Sequence, residues 1–467
     1  MAVVGTVAAQ EPPDRSRPPA LLPAPEIDLP PIQKRTLSNG LPVWLVELHE
    51  VPIVQINLVV LAGSGDDPAG RFGTASLTAA MLDEGAGSRD ALGIADAIEL
   101  AGATLATTSS FDSSAVRLNV PVARLGDALP VMADVAMRPT FPGEDLERLR
   151  QERLTMLLQA RDDPASIAPM AFSRIVFGTG HRYGTGAMGS EASLTALAAG
   201  DLRAFHTTYY QPSNATLVVV GDVTADAILP QLEEQFGGWK AAGPVTRATV
   251  ARAPQLTRGQ LYLVDKPAAA QSQIRIGWVG VPRSTPDYFA LEVLNTVLGG
   301  SFTSRLNQNL REEHGYAYGA GSSFDMRLSA GPFVAAAGVQ SDKTAESLRE
   351  FFNELTAIAM PISQEELAKA KNYVALGFPA EFETSGDLSR ALEELIVYRL
   401  PDDHFERYVA NIQAVTAEAV QKAATEHIQP SRFAVVVVGD RETNESAIRA
   451  LDLGPVEVMT VEEALGL

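Results

Sequence analysis

Residues 210–223 read YQPSNATLVVVGDV, and residues 428–441 read IQPSRFAVVVVGDR, a match at an offset of 218. Each stretch runs from a Gln-Pro-Ser turn through β-branched residues to Gly-Asp, the pattern of a strand buried on both faces. Working outward, TLSNGLPVWLV (36–46) sets an Asn-Gly turn between strand-like runs, and LTRGQLYLV (256–264) repeats the plan with Gly259 standing 219 residues after Gly40. VPIVQINLVVLAG (51–63) and AAAQSQIRIGWVG (268–280) are both apolar enough to be buried strands. Pro142 opens the helical run FPGEDLERLRQERLTMLLQ, and Pro361, again 219 residues later, opens PISQEELAKAKNYVAL. In the second run Ser363 and Glu366 have the spacing of a capping box.

Landmarks in the same order at nearly constant offset define a tandem duplication. The halves span 33–242 and 255–450, joined by 243–254 (GPVTRATVARAP), which lacks periodicity and reads as a hinge; 451–467 reads as a tail. In each half strands come first, helices follow and strands return. That order predicts an α+β fold, each half a mixed, largely antiparallel sheet covered by helices.

The chain has 467 residues, 46% hydrophobic and 20% charged, enough for two full cores. A net charge of −20 argues against nucleic acid or an anionic membrane as partner. No apolar run reaches the roughly 18 residues of a membrane span. With no cysteine, disulfides, thiolate metal sites and a Cys nucleophile are excluded. Residues 1–10 (MAVVGTVAAQ) resemble the end of a secretory signal without its basic start, which implies a periplasmic protein; a plain N-terminal extension of a cytoplasmic one is the alternative. Residues 11–31 are Pro-rich, and 1–32 as a whole read as a leader remnant and extended arm.

No two of the six histidines lie within five residues, so a helical His pair for a metal is impossible. His404 with Glu406, and Glu426 with His427, read as solvated surface charge. No G-x-S-x-G elbow occurs. The stretch 299–325 (GGSFTSRLNQNLREEHGYAYGAGSSFD) is more informative. Leu306 and Leu310 mark one face of a helix, Gly315 ends it, and a strand follows. Arg311 at the helix end and Tyr318 on the strand can converge on one carbonyl oxygen. The alternative is an Arg capping the last helical carbonyls and a Tyr packed in the sheet.

Three stretches, HRYGTGAMGSEASLTAL (181–197), YYQPSNATLVVVGDV (209–223) and LGGSFTSRLNQNLREEHGYAYGAGSS (298–323), together resemble the pitrilysin/insulinase family of zinc peptidases. That family includes mitochondrial processing peptidase, and the resemblance runs from about residue 34 to 445. It implies two homologous α+β halves facing each other across a chamber, in a processing-peptidase-like metallohydrolase fold. It also implies a zinc motif, His-x-x-Glu-His, on a helix of the first half. Here the histidine positions fall on Ser76 and Ala80 and the general-base position on Ala79. The third-ligand position falls near Leu157, with Glu152 out of register. By the resemblance this chain carries no metal or other cofactor, and zinc belongs to a homologous partner that keeps His-x-x-Glu-His. Arg311 and Tyr318 match the family's Arg/Tyr pair, which holds the substrate carbonyl. The resemblance thus implies a non-catalytic subunit of a heterodimeric metalloendopeptidase acting on peptides. A catalytically silent peptide-binding or structural homologue, as in respiratory-complex cores, is the alternative. The Gly-rich substrate loop of the processing-peptidase subunit is replaced by SFTSRL after Gly299-Gly300, which argues against presequence binding.

Overall fold

A computed structural model of the chain describes Ala24, Glu26 and residues 28–466. Residues 1–10 and most of the Pro-rich arm lie outside the described residues. The N-terminal sheet contains β1 (Gln33–Thr36), β2 (Pro42–Glu47), β3 (Ile53–Val60), β4 (Thr104–Ser109), β5 (Ser114–Pro121) and β6 (Ala215–Gly221). Its order is β1-β2-β6-β3-β5-β4. The C-terminal sheet contains β7 (Gln260–Asp265), β8 (Gln271–Val279), β9 (Ala317–Phe324), β10 (Pro332–Gln340), β11 (Ala434–Gly439) and β12 (Val456–Met459). Its order is β9-β10-β8-β11-β7-β12.

Five strands therefore occupy the same places in both sheets. The pairs β2–β6 and β7–β11 are parallel, and the other shared neighbours are antiparallel. The α+β duplication is as expected, and both repeats of the opening motif are interior strands, β6 and β11. Only the sixth strand differs. In the first half β1 pairs antiparallel with β2, whereas in the second β12 comes from the end of the chain and pairs parallel with β7. The segment expected as a tail is thus built into the second half.

The uninterrupted apolar runs of β6 and β11 have a physical cause in how the halves meet. Each half covers one face of its sheet with its own helices. The other face is covered by a helix from the opposite half. The helix Pro164–Phe177, with Asp163 as N-cap and Pro164 in its first turn, packs on β8 and β11. The helix Ser385–Tyr398, opened by a Thr384–Asp387 capping box, packs on β3 and β6. Alternate residues of β6 accordingly enter different cores: Leu217 and Val219 that of the first half, Val218 and Val220 the one shared with Ser385–Tyr398. At roughly 1.5–3 kcal/mol per buried aliphatic side chain, this exchange binds the halves firmly. The two halves thus meet through these exchanged helices.

The connector is no free hinge. Asp66 accepts the backbone N–H of Ala248 at 2.8 Å, and Arg247 donates to the carbonyl of Asp112 at 2.8 Å, fixing the segment to the first half.

Candidate functional site

The helix Thr74–Met81 carries the three positions aligned with the zinc motif. Gly73 precedes it with φ +97°, where a Cβ would meet the carbonyl of Met188, so the loop after HRYGTG closes directly on the helix start. Gly73 has no side chain to cap the helix, and Asp67 does so instead. It accepts the N–H groups of Gly73 and Ala75, each at 2.7 Å. Arg182 of HRYGTG donates to the same carboxylate at 2.9 Å. The pair is almost wholly buried, and burial pushes the Asp67 carboxyl up to about 6.

On that helix Ser76 and Ala80 are half-buried and Ala79 is buried. None offers an imidazole or carboxylate. Leu157, on the helix Gly143–Ala160, packs against the core of the first half. Glu152 points away to an ion pair with Arg148 at 3.0 Å. Besides Asp67 at its start, a cation reaches the motif helix. Arg153 donates through Nη2 to the carbonyl of Ser76 at 2.9 Å, and its Nη1 is buried without a partner. Burial pulls this guanidinium down to about 10. A desolvated guanidinium repels a divalent cation, so these residues do not fit zinc.

The second candidate lies on the C-terminal half. The helix Tyr288–Leu298 ends at Gly299, where a Cβ would strike the backbone N of Ser322 on β9. The next helical segment begins at Arg305 and widens into a π-turn over Gln308–Glu313, with Leu306 and Leu310 fully buried beneath it. Gly315, at φ +65°, ends it as expected. The π-turn, a feature frequent at functional sites, carries Arg311. β9 is an edge strand, and its pairing with β10 slips between Ala317 and Ala320, so Tyr318 and Gly319 form a bulge. Tyr318 is 87% exposed, and its ring lies 5.1 Å from the Arg311 guanidinium. Among the described residues Arg311 caps no helix carbonyl, and its one polar contact is Glu312 at 3.2 Å. Tyr318 is not packed in the sheet. Tyr316, by contrast, stacks on His314 at 4.9 Å and packs against the core. Tyr316 precedes β9, which begins at Ala317, whereas Tyr318 sits in the bulge, and the two rings have different surroundings.

Phe302 escaped notice in the sequence. Its ring, 57% exposed, lies 4.6 Å from the Arg311 guanidinium, on a turn whose Gly, Ser and Thr residues gave the only signal. Two histidines read as surface charge are not. His404 is half-buried beside Phe289, and its Nε2 accepts a hydrogen bond from the buried Arg283 at 3.1 Å. Burial and that neighbouring cation hold it down to about 4. His427 pairs with Asp287 at 2.7 Å, and with Glu426 they form the one cluster among the described residues whose ligand atoms lie close enough together to hold a metal ion.

Two α+β repeats that exchange a helix, one with a motif helix and the other with an exposed Arg/Tyr pair, define the duplicated peptidase-like class. The profile of insulinase, peptidase family M16, matches residues 43–183, and that of the peptidase M16 inactive domain matches residues 196–374. The chain belongs to the M16 (insulinase/pitrilysin) peptidase family. An uncharacterized zinc protease of Mycobacterium tuberculosis is 27% identical over 421 residues, covering 89% of this chain and 94% of the relative. One of Bacillus subtilis is 25% identical, covering 73% and 82%. The crystal structure of a peptidase M16 inactive domain from Pseudomonas fluorescens superposes with TM-score 0.81 at 26% identity, covering 88% of this chain and 98% of that one. A Helicobacter pylori protease, 21% identical, shares the fold at TM-score 0.81, covering 88% and 100%.

Proposed function

We propose that this chain is the non-catalytic subunit of a heterodimeric zinc endopeptidase, with the zinc motif absent here and supplied by a homologous partner. The observation that carries the reading is the exposure of Tyr318 beside Arg311. Neither the phenol hydroxyl nor the guanidinium is consumed by folding, and a π-turn and a bulge present both. A silent or structural homologue has no need of such a pair. The partner's zinc supplies the attacking water and polarises the scissile bond. This chain's part is to bind and orient. Tyr318 donates its hydroxyl to the scissile carbonyl oxygen as negative charge develops there, and Arg311 holds a neighbouring peptide carbonyl by a charge-assisted bond. Peptide would be held extended along a sheet edge. The outer side of β4 pairs with no strand among the described residues and runs beside the motif helix. The leader-like residues 1–10 support export to the periplasm.

The test is co-expression with a chain carrying His-x-x-Glu-His, followed by peptide hydrolysis. Tyr318→Phe is expected to lower kcat about 10²–10³-fold with little change in KM or Tm. Arg311→Ala raises KM as well, and Tyr316→Phe is nearly silent. Equal losses at both tyrosines, or full activity of this chain alone, would refute the proposal.

A further inference from the structure

We propose that Phe302 is a positioning residue for Arg311, a third member of the exposed site; this rests on the reading of Arg311 and Tyr318 given above. The guanidinium carbon lies over two rings, Phe302 at 4.6 Å and Tyr318 at 5.1 Å. With Nε facing Glu312 at 3.2 Å, contacts of the cation with ring faces leave the terminal N–H donors available. That is the presentation a carbonyl oxygen requires.

Left alone on the π-turn, Arg311 would swing among rotamers and fold further onto exposed Glu312, which its Nε already faces at 3.2 Å, or onto exposed Glu313. The ring of Phe302 opposes this, because its own place is fixed. The buried amide of Asn307 donates through Nδ2 to the carbonyl of Phe302 at 2.6 Å. The same amide accepts through Oδ1 from the N–H of Ala320 at 3.2 Å. Asn307 thus fastens the turn bearing Phe302 to the strand bearing Tyr318, just beyond the bulge.

Two measurements test this. In the isolated chain, the Arg311 Nε–Hε resonance, assigned by its loss in Arg311→Lys, should be shielded by the two rings. It should move toward its free position in Phe302→Leu and stay shielded in Phe302→Trp. In the active heterodimer, Phe302→Leu should raise KM about two- to five-fold, the worth of an exposed cation–π contact, with a smaller change in kcat and an unchanged Tm. Phe302→Trp should restore KM. An unshielded resonance in the wild-type chain would overturn the ring contacts themselves. A shielded resonance with unchanged kinetics in Phe302→Leu, while Arg311→Ala remains impaired, would overturn the positioning role and leave the Arg/Tyr reading standing. If Arg311→Ala is itself silent, the underlying site reading fails and this inference with it.

Discussion

Glu393→Ala should loosen the two halves from one another, by an amount the structure lets one set out. Glu393 sits on the helix Ser385–Tyr398 and faces the N-terminal sheet. Its Oε1 accepts from Asn57 Nδ2 at 2.6 Å and from Arg117 Nε at 2.8 Å, and Arg117 Nη2 pairs with Oε2. The carboxylate side chain is 11% exposed and that of Arg117 27%. Removing the carboxylate leaves the Arg117 guanidinium and the Asn57 amide without their shared acceptor. Orphaning one member of a buried ion pair costs roughly 3–5 kcal/mol. Arg117 keeps some solvent and its bond to Thr108 Oγ1, so the low end, about 3 kcal/mol, applies. Urea unfolding is the assay, with Trp44 reporting on the first sheet and Trp278 on the second. The double variant Glu393→Leu/Arg117→Met removes both charges and should recover most of the loss, since apolar replacement of a buried pair is often neutral. A loss below about 1 kcal/mol in the single variant, or a double variant no better than the single, would show that the exchanged helix is held by apolar packing alone.

Acid should weaken the second half through His404. Its folded value, about 4, lies below the ordinary 6.5, so the folded chain binds fewer protons than the unfolded chain between those limits. Its contribution to stability is therefore complete above pH 6.5 and lost as pH falls toward 4. In His404→Gln the fall of the urea midpoint across that window should be visibly shallower; an unchanged slope would contradict the buried contact with Arg283. Re-zincated and washed, the isolated chain should hold no tightly bound zinc at the motif helix. About one zinc per chain that survives His427→Ala would contradict this, whereas zinc lost in that variant would belong to the Asp287–Glu426–His427 group. In the heterodimer, the contrast between Tyr318→Phe and Tyr316→Phe remains the direct measure of the exposed pair.

Most of the architecture was present in the sequence because duplication leaves a local trace. The Asn-Gly turn at Gly40, the capping box of Ser363 and Glu366, and the runs that became β6 and β11 each depend on neighbouring residues. Their repetition at a nearly constant offset ordered them into halves. Residue spacing set Arg311 seven residues before Tyr318, and the family resemblance aligned Ser76, Ala79 and Ala80 with the positions of the zinc motif. The tertiary structure decided what depends on distant partners. An apolar strand announces two buried faces but not that a helix from the opposite half covers one of them. Likewise β12, the pinned connector and the burial of His404 rest on contacts across the fold. The bulge that carries Tyr318 is a one-residue slip against β10, and no spacing within a single strand encodes its partner's register.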